Sequence, residues 1–188
     1  MKEALIIIDV QNDYFQGGKM ELQNPLGALE NLKKLLRWFR NEKKEVIFIQ
    51  HIAVRKEAGF FLENTRGAEI HEEITPLDSE KIVVKNYPNS FFNTELEKYL
   101  KEKGVESLII TGMMTHMCVD STTRAAKDLG YKCTVIKDAC TTRDFIFEGK
   151  TVTAVEIQNS FMTALGYYYA DILGCEEYFK NAGKMAGN

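Results

Sequence analysis

Residues 105–138, VESLIITGMMTHMCVDSTTRAAKDLGYKCTVIKD, change their period twice. VESLIIT (105–111) is a short apolar run rich in β-branched side chains, the pattern of a strand. From about Met117 to Leu129 the pattern becomes helical, and Gly130 stands where a helix commonly ends. KCTVIKD (132–138) reads as a strand again. Strand, helix and strand in succession form a crossover unit that joins parallel neighbours in one sheet.

The same alternation runs outward in both directions. ALIIID (4–9) scarcely alternates between apolar and polar, so it predicts a strand buried on both faces and closed by Asp9. Asn24 and Pro25 supply an N-cap and a first-turn proline, and Leu29, Leu32, Leu35, Leu36 and Phe39 recur at helical spacing to about Arg40. VIFIQ (46–50) is a second buried strand and KIVVK (81–85) a third. Asn93 or Thr94 caps a short amphipathic helix that Gly104 ends. Glu148 to Leu165 reads as a long helix, YADIL (169–173) as a sixth strand, and a polar tail follows. His51 to about Asp78 has no clear period, and irregular stretches of that length in a compact domain usually serve a site. The expectation is an α/β fold over a single domain, residues 1–188: a three-layer αβα sandwich around a six-stranded, mainly parallel sheet. In such sheets ligands bind outside the carboxyl ends of the strands. That rule selects Asp9, then Gln50 and His51, then Lys85, then TGMMTHMC after the fourth strand.

Bulk properties narrow the partners. At 188 residues and 21.5 kDa the chain is large enough to bury roughly 70% of its unfolded surface in one core. Hydrophobic residues make up 45% and charged residues 27%, a globular composition. A formal charge of −3 and a pI near 5.7 give no electrostatic reason to expect nucleic acid or an anionic membrane. No apolar run approaches the ~18 residues of a membrane span. A small molecule is the expected partner. The opening residues lack the pattern of a secretory signal, and the four cysteines have neither zinc-ribbon nor disulfide-framework spacing. A reducing cytoplasm is the expected location.

Cys118 sits where the fourth strand has ended and a helix begins. Unpaired N–H groups and the positive end of the helix dipole favour a thiolate there, as a nucleophile or redox thiol requires. Cys133, inside the fifth strand, reads as a buried, inert thiol. Cys140 lies past that strand without an evident partner, and Cys175 lies in the tail.

Four segments together carry a family resemblance: IIIDVQNDYF (6–15), VVKNYPNSFFNTELEKYL (83–100), VESLIITGMMTHMCVDSTTRAAKDLGY (105–131) and VIKDACTTRD (135–144). Over nearly its whole length the chain resembles the isochorismatase-like cysteine hydrolases, a superfamily that includes nicotinamidases and N-carbamoylsarcosine amidase. The resemblance implies the corresponding fold and a catalytic triad. In it Cys118 attacks a carbonyl carbon, Asp9 serves as general base and acid, and Lys85 holds charge between them. It also implies a cis peptide between Met113 and Met114, an oxyanion hole built from the backbone N–H groups of Met114 and Cys118, and a homo-oligomer, either a dimer or a tetramer. General chemistry agrees with the triad. A carboxylate beside a thiol can take its proton and return it to a leaving amine, while an ammonium stabilises both.

Departures from relatives bear on the substrate. Nicotinamidases have a metal site built from an aspartate and histidines after the second strand. Here IFIQHIAVRKEAGFF offers one histidine and no carboxylate before Glu57, so neither metal nor cofactor is expected, and His51 reads as a rim or packing residue. Isochorismatases commonly lack the cysteine, so Cys118 favours amide, carbamoyl or ureido hydrolysis. Vinyl-ether hydrolysis and a non-enzymatic redox or ligand-binding role for Cys118 remain the alternatives. Phe15, Phe61, Tyr87 and His116 are candidates for the substrate pocket. Gln11 and Asp13 are expected to brace the loop after the first strand. Arg55 and Arg66 are candidates for binding a substrate carboxylate.

Overall fold

The computed structural model describes residues 1–186. Its central element is β1 (Glu3–Ile8), whose side chains divide between two cores. Leu5 and Ile7 pack on one face of the sheet, and Ala4, Ile6 and Ile8 pack on the other. Around β1 lie β2 (Glu45–His51), β3 (Lys81–Lys85), β4 (Ser107–Met113), β5 (Lys132–Thr141) and β8 (Asp171–Leu173) in the order β3-β2-β1-β4-β5-β8. All five pairings are parallel, so the sheet is wholly rather than mainly parallel. Strand order reverses between β1 and β4, the kind of place where ligand crevices form.

Helix α1 (Pro25–Asn41) buries Leu29, Leu32, Leu35, Leu36 and Phe39 against the first face. Asn24 caps it by accepting from the Gly27 N–H, and Pro25 occupies its first turn. The second face is covered by α2 (Leu96–Glu102), α3 (Asp120–Asp128) and α4 (Ala154–Tyr168), through Leu96, Leu100, Ala126, Met162 and Leu165. This is the three-layer αβα sandwich. Among the described residues, no helix is long and apolar enough to cross a membrane.

Several boundaries differ from the sequence expectation. β5 runs on to Thr141, so Cys140 lies inside it rather than past its end. The long helix begins at Ala154, not Glu148, because Glu148 and Gly149 both take positive φ (51° and 75°) and turn the chain. They connect the antiparallel hairpin of β6 (Phe145–Phe147) and β7 (Lys150–Val152), a geometry suited to two-residue turns. Thr153 and Glu156 then form a reciprocal capping box, which fixes the true helix start. The tail is also helical. α5 (Cys175–Ala186) sets Tyr178 edge-on to Trp38 at 5.7 Å and against Phe39, an apolar face that the charged residues between conceal. Helix α2 is capped at Glu95 rather than at Asn93 or Thr94, although the Thr94 hydroxyl does accept from the Leu96 N–H.

Candidate active site at the carboxyl rim

Three neighbouring strands and the turn after a fourth deliver one polar side chain each to the rim. Asp9 follows β1 with φ 52°, a left-handed conformation uncommon for a non-glycine residue. Its N–H still donates to the Ile49 carbonyl at 3.0 Å, so the chain leaves the sheet only after this bond is made. Lys85 ends β3, paired in register with His51 at the end of β2. Cys118 lies in a wide helical turn, Thr115–Val119, that runs into α3. Beneath it β1 and β4 approach so closely that Gly112 has no alternative. At its φ of 120°, a Cβ would stand 2.1 Å from the Ile8 carbonyl oxygen. The Met113–Met114 peptide is cis.

Lys85 is the hub. Its Nζ lies 2.7 Å from Asp9 Oδ2, 3.0 Å from His51 Nδ1 and 3.3 Å from Cys118 Sγ. An ammonium has three protons and no acceptor, so each proton has one partner. Asp9 and Lys85 are wholly buried and Cys118 nearly so. The other carboxylate oxygen, Asp9 Oδ1, is buried with no hydrogen-bond partner among the described residues. Sequence reasoning gives His51 only a rim or packing role. Its contact with Lys85 depends on strand register, which no local pattern reveals.

The electrostatics correct one expectation. Burial first, and then the Asp9 carboxylate, push the Cys118 thiol far above its ordinary pKa, and Lys85 offsets this only in part. Desolvation therefore works against the thiolate that the helix terminus suggests. Burial also opposes the charge on Lys85, but Asp9 and then Cys118 outweigh it and raise the lysine pKa. Burial, followed by Lys85, lowers the pKa of His51 against the opposing pull of Asp9. Cys133 and Cys140 are pushed up to about 12 by burial as well. What distinguishes Cys118 is its neighbours, not its burial.

Above these groups opens a cleft of about 710 Å³. Cys118, Met114 and His51 line it together with Tyr14, Phe61 and Tyr87, and Arg55 lies at its edge. Its far wall is the irregular segment after β2, held in place by side chains from the segment after β1. Gln11 Nε2 donates to the carbonyls of His51 (2.9 Å) and Ala68 (2.7 Å), and its Oε1 accepts the His51 N–H at 2.8 Å. Asp13 accepts the N–H groups of Lys19 and Phe61, the latter at 2.7 Å with Phe61 at φ 53°. A larger groove of about 1060 Å³ runs beside β3, past Gln50, Leu62 and Val84, but no cysteine lines it.

The structure thus brings together Asp9, Lys85, Cys118, Met114, Phe61 and Tyr87. It does not bring Phe15 or His116 to this cleft. Phe15 packs on His71 at 4.2 Å, because the turn at Asn12–Tyr14 points Tyr14 toward the site instead. His116 Nδ1 lies 2.8 Å from Thr142 Oγ1 and its ring meets Phe145 and Phe161, so it faces the β6–β7 hairpin. Arg66 lines a separate groove beside Asn12 and Asp13.

Asp9, His51 and Cys118 each offer a ligand atom, all within 4.8 Å of one another. Those atoms already surround the Lys85 ammonium. A metal ion at their centre would have to displace a buried cation, so the donor set does not fit a resident metal. Gln50, the neighbouring candidate, spends its amide on the Ala68 carbonyl.

Comparison with known proteins points one way. The family model of the isochorismatase domain matches residues 3–172. The uncharacterized isochorismatase family protein YddQ of Bacillus subtilis is 48% identical over 180 residues, covering 96% of this chain and 100% of that protein. A crystal structure from Oleispira antarctica, assigned to the isochorismatase hydrolases, is 42% identical with a TM-score of 0.90, covering 94% of this chain and 95% of that one. The ureidoacrylate amidohydrolase RutB of Cronobacter sakazakii is 29% identical over 171 residues, 73% of this chain and 74% of that protein.

Proposed function

The chain belongs to the isochorismatase family of hydrolases, and from that premise we propose that it cleaves the C–N bond of a small amide, carbamoyl or ureido compound through a thioester on Cys118. The observation that carries this reading is the single buried ammonium of Lys85 between Asp9 and Cys118, the last of which lines the cleft. Burial favours the protonated thiol, so attack on the carbonyl carbon calls for a base. Among the described residues Asp9 is the only carboxylate paired with Lys85, and its unpartnered Oδ1 is the acceptor for the thiol proton. As the sulfur bonds to carbon, negative charge moves to the carbonyl oxygen. The family resemblance implies the backbone N–H groups of Met114 and Cys118 as the oxyanion hole, and both residues line the cleft. Collapse of the adduct breaks the C–N bond. Asp9 returns its proton to the departing nitrogen, then takes one from the water that hydrolyses the thioester.

The resemblance to a ureidoacrylate amidohydrolase supports including ureido acids in the proposed substrate class. The decisive experiment is a panel of small amides, carbamoyl amino acids and ureido acids assayed for ammonia release, with intact-mass detection of an acyl adduct on Cys118. Release of ammonia with a trapped adduct supports the reading. Turnover of any substrate undiminished in Cys118→Ala removes the thioester and favours proton-driven ether cleavage. The proposal extends to a dimer or tetramer acting in a reducing cytoplasm. The four free cysteines and the exposed Tyr167 and Tyr168 of α4 are in keeping with it. Sedimentation as a monomer at micromolar concentration counts against the oligomer.

A further inference from the structure

We propose that His51 is a positioning residue whose Nδ1 takes the third proton of the Lys85 ammonium and thereby fixes that lysine between Asp9 and Cys118. The inference deepens the amidohydrolase reading and rests on its assignment of Lys85. It begins from a count. Lys85 is wholly buried, so each of its three N–H groups needs an acceptor, and a buried donor left unpaired is costly. Asp9 Oδ2 and Cys118 Sγ supply two, and His51 Nδ1 at 3.0 Å supplies the third. Without it, one proton faces the cleft wall and the ammonium can tilt toward Asp9, away from the sulfur.

The imidazole is held independently of this contact. The His51 backbone is fixed on both sides by Gln11, and its ring lies 5.9 Å from that of Phe61. Accepting from an ammonium at Nδ1 requires the neutral ring with its own proton on Nε2. The surroundings favour that form. The groups facing the ring are Lys85 from β3, Asp9 after β1 and Cys118 from the turn after β4, with Tyr14 and Arg55 on the same cleft. Of these only Asp9 draws positive charge to the imidazole; burial and Lys85 repel it, and the balance lowers the His51 pKa below its ordinary value. The neutral, lysine-holding form therefore prevails above the lowered pKa and is lost as pH falls through it. Protonation would set two cations against each other and release Lys85.

The test compares wild type with His51→Asn and His51→Leu. Asparagine can place an acceptor oxygen near the position of Nδ1 but does not titrate, while leucine keeps apolar contact with Phe61 and accepts nothing. The readout is the rate of Cys118 alkylation by iodoacetamide from pH 5 to 8, followed by peptide mass, with kcat against pH once a substrate is in hand. Wild type should show a break below the ordinary histidine range. His51→Asn should keep the neutral-pH rate within about 3-fold and lose the break. His51→Leu should fall at least about 10-fold across the range while remaining folded by near-ultraviolet circular dichroism. Equal losses in both variants, or no loss in either, would overturn the proposal. If the ranking holds while no amide is turned over, His51 keeps its role and the amidohydrolase reading is the part that fails.

Discussion

β1 carries a lysine–carboxylate pair at each end. At the amino end Glu3 meets Lys44 with side chains 15% and 32% exposed, and Tyr178 adds its hydroxyl to the same carboxylate. At the carboxyl end Asp9 meets Lys85 with both side chains at 0%. The first pair keeps partial access to solvent, where such contacts contribute little. The second has given up water on both sides, a desolvation that its own attraction does not reliably repay. A buried pair of this kind is poor evidence of stability and better evidence of chemistry. Its surroundings agree, since only this pair adjoins a thiol, a cleft and an unpartnered carboxylate oxygen.

The largest expected effect is on turnover. Cys118→Ala removes the atom that bonds to carbon, so activity on the chosen amide should drop to background with no acyl adduct by mass spectrometry, while the amino-end pair is untouched. Asp9→Asn keeps shape but loses the proton acceptor. A fall of roughly 100-fold or more in kcat is expected, together with slower alkylation of Cys118. A mutant close to wild type would place the base elsewhere.

Stability sharpens the same contrast. Lys85→Met strands the Asp9 carboxylate in the interior and should cost roughly 3–5 kcal/mol in denaturant unfolding, besides impairing both turnover and alkylation. Adding Asp9→Leu should recover much of that stability without any activity, because an apolar pair no longer needs solvation. If the double variant is no more stable than the single one, the burial argument is wrong. At the other end Glu3→Gln should cost less than about 1 kcal/mol, shrink further in high salt, and leave kcat unchanged. The smallest effect is predicted for His116→Ala. Its ring faces Thr142 and the hairpin, so Cys118 alkylation should stay near wild type. Abolition there, with Lys85→Met active, would replace the Asp–Lys–Cys assignment by a cysteine–histidine one.

The amino-acid order was enough to specify the alternation of strands and helices and the strand ends, Asp9 and Lys85 among them, that reach the carboxyl rim. Each of these follows from local rules: a run of β-branched residues makes a buried strand, and the residue that ends it must lie at the rim. The N-cap at Asn24 and the brace at Gln11 and Asp13 were legible for the same reason. Thr153 and Glu156 also carried a local signal, the capping box, which the apolar period of the surrounding segment obscured.

Tertiary structure alone decided the rest. His51 reaches Lys85 because β2 and β3 pair in one register, and a one-residue slip of β3 would turn Lys85 to the opposite face. Phe61 walls the cleft, and Phe15 does not, because Asp13 pins a loop that has no period of its own. The upward push on the Cys118 pKa is equally out of reach of sequence. A helix terminus can be read from neighbouring residues, whereas desolvation is set by everything that the whole chain packs around the sulfur.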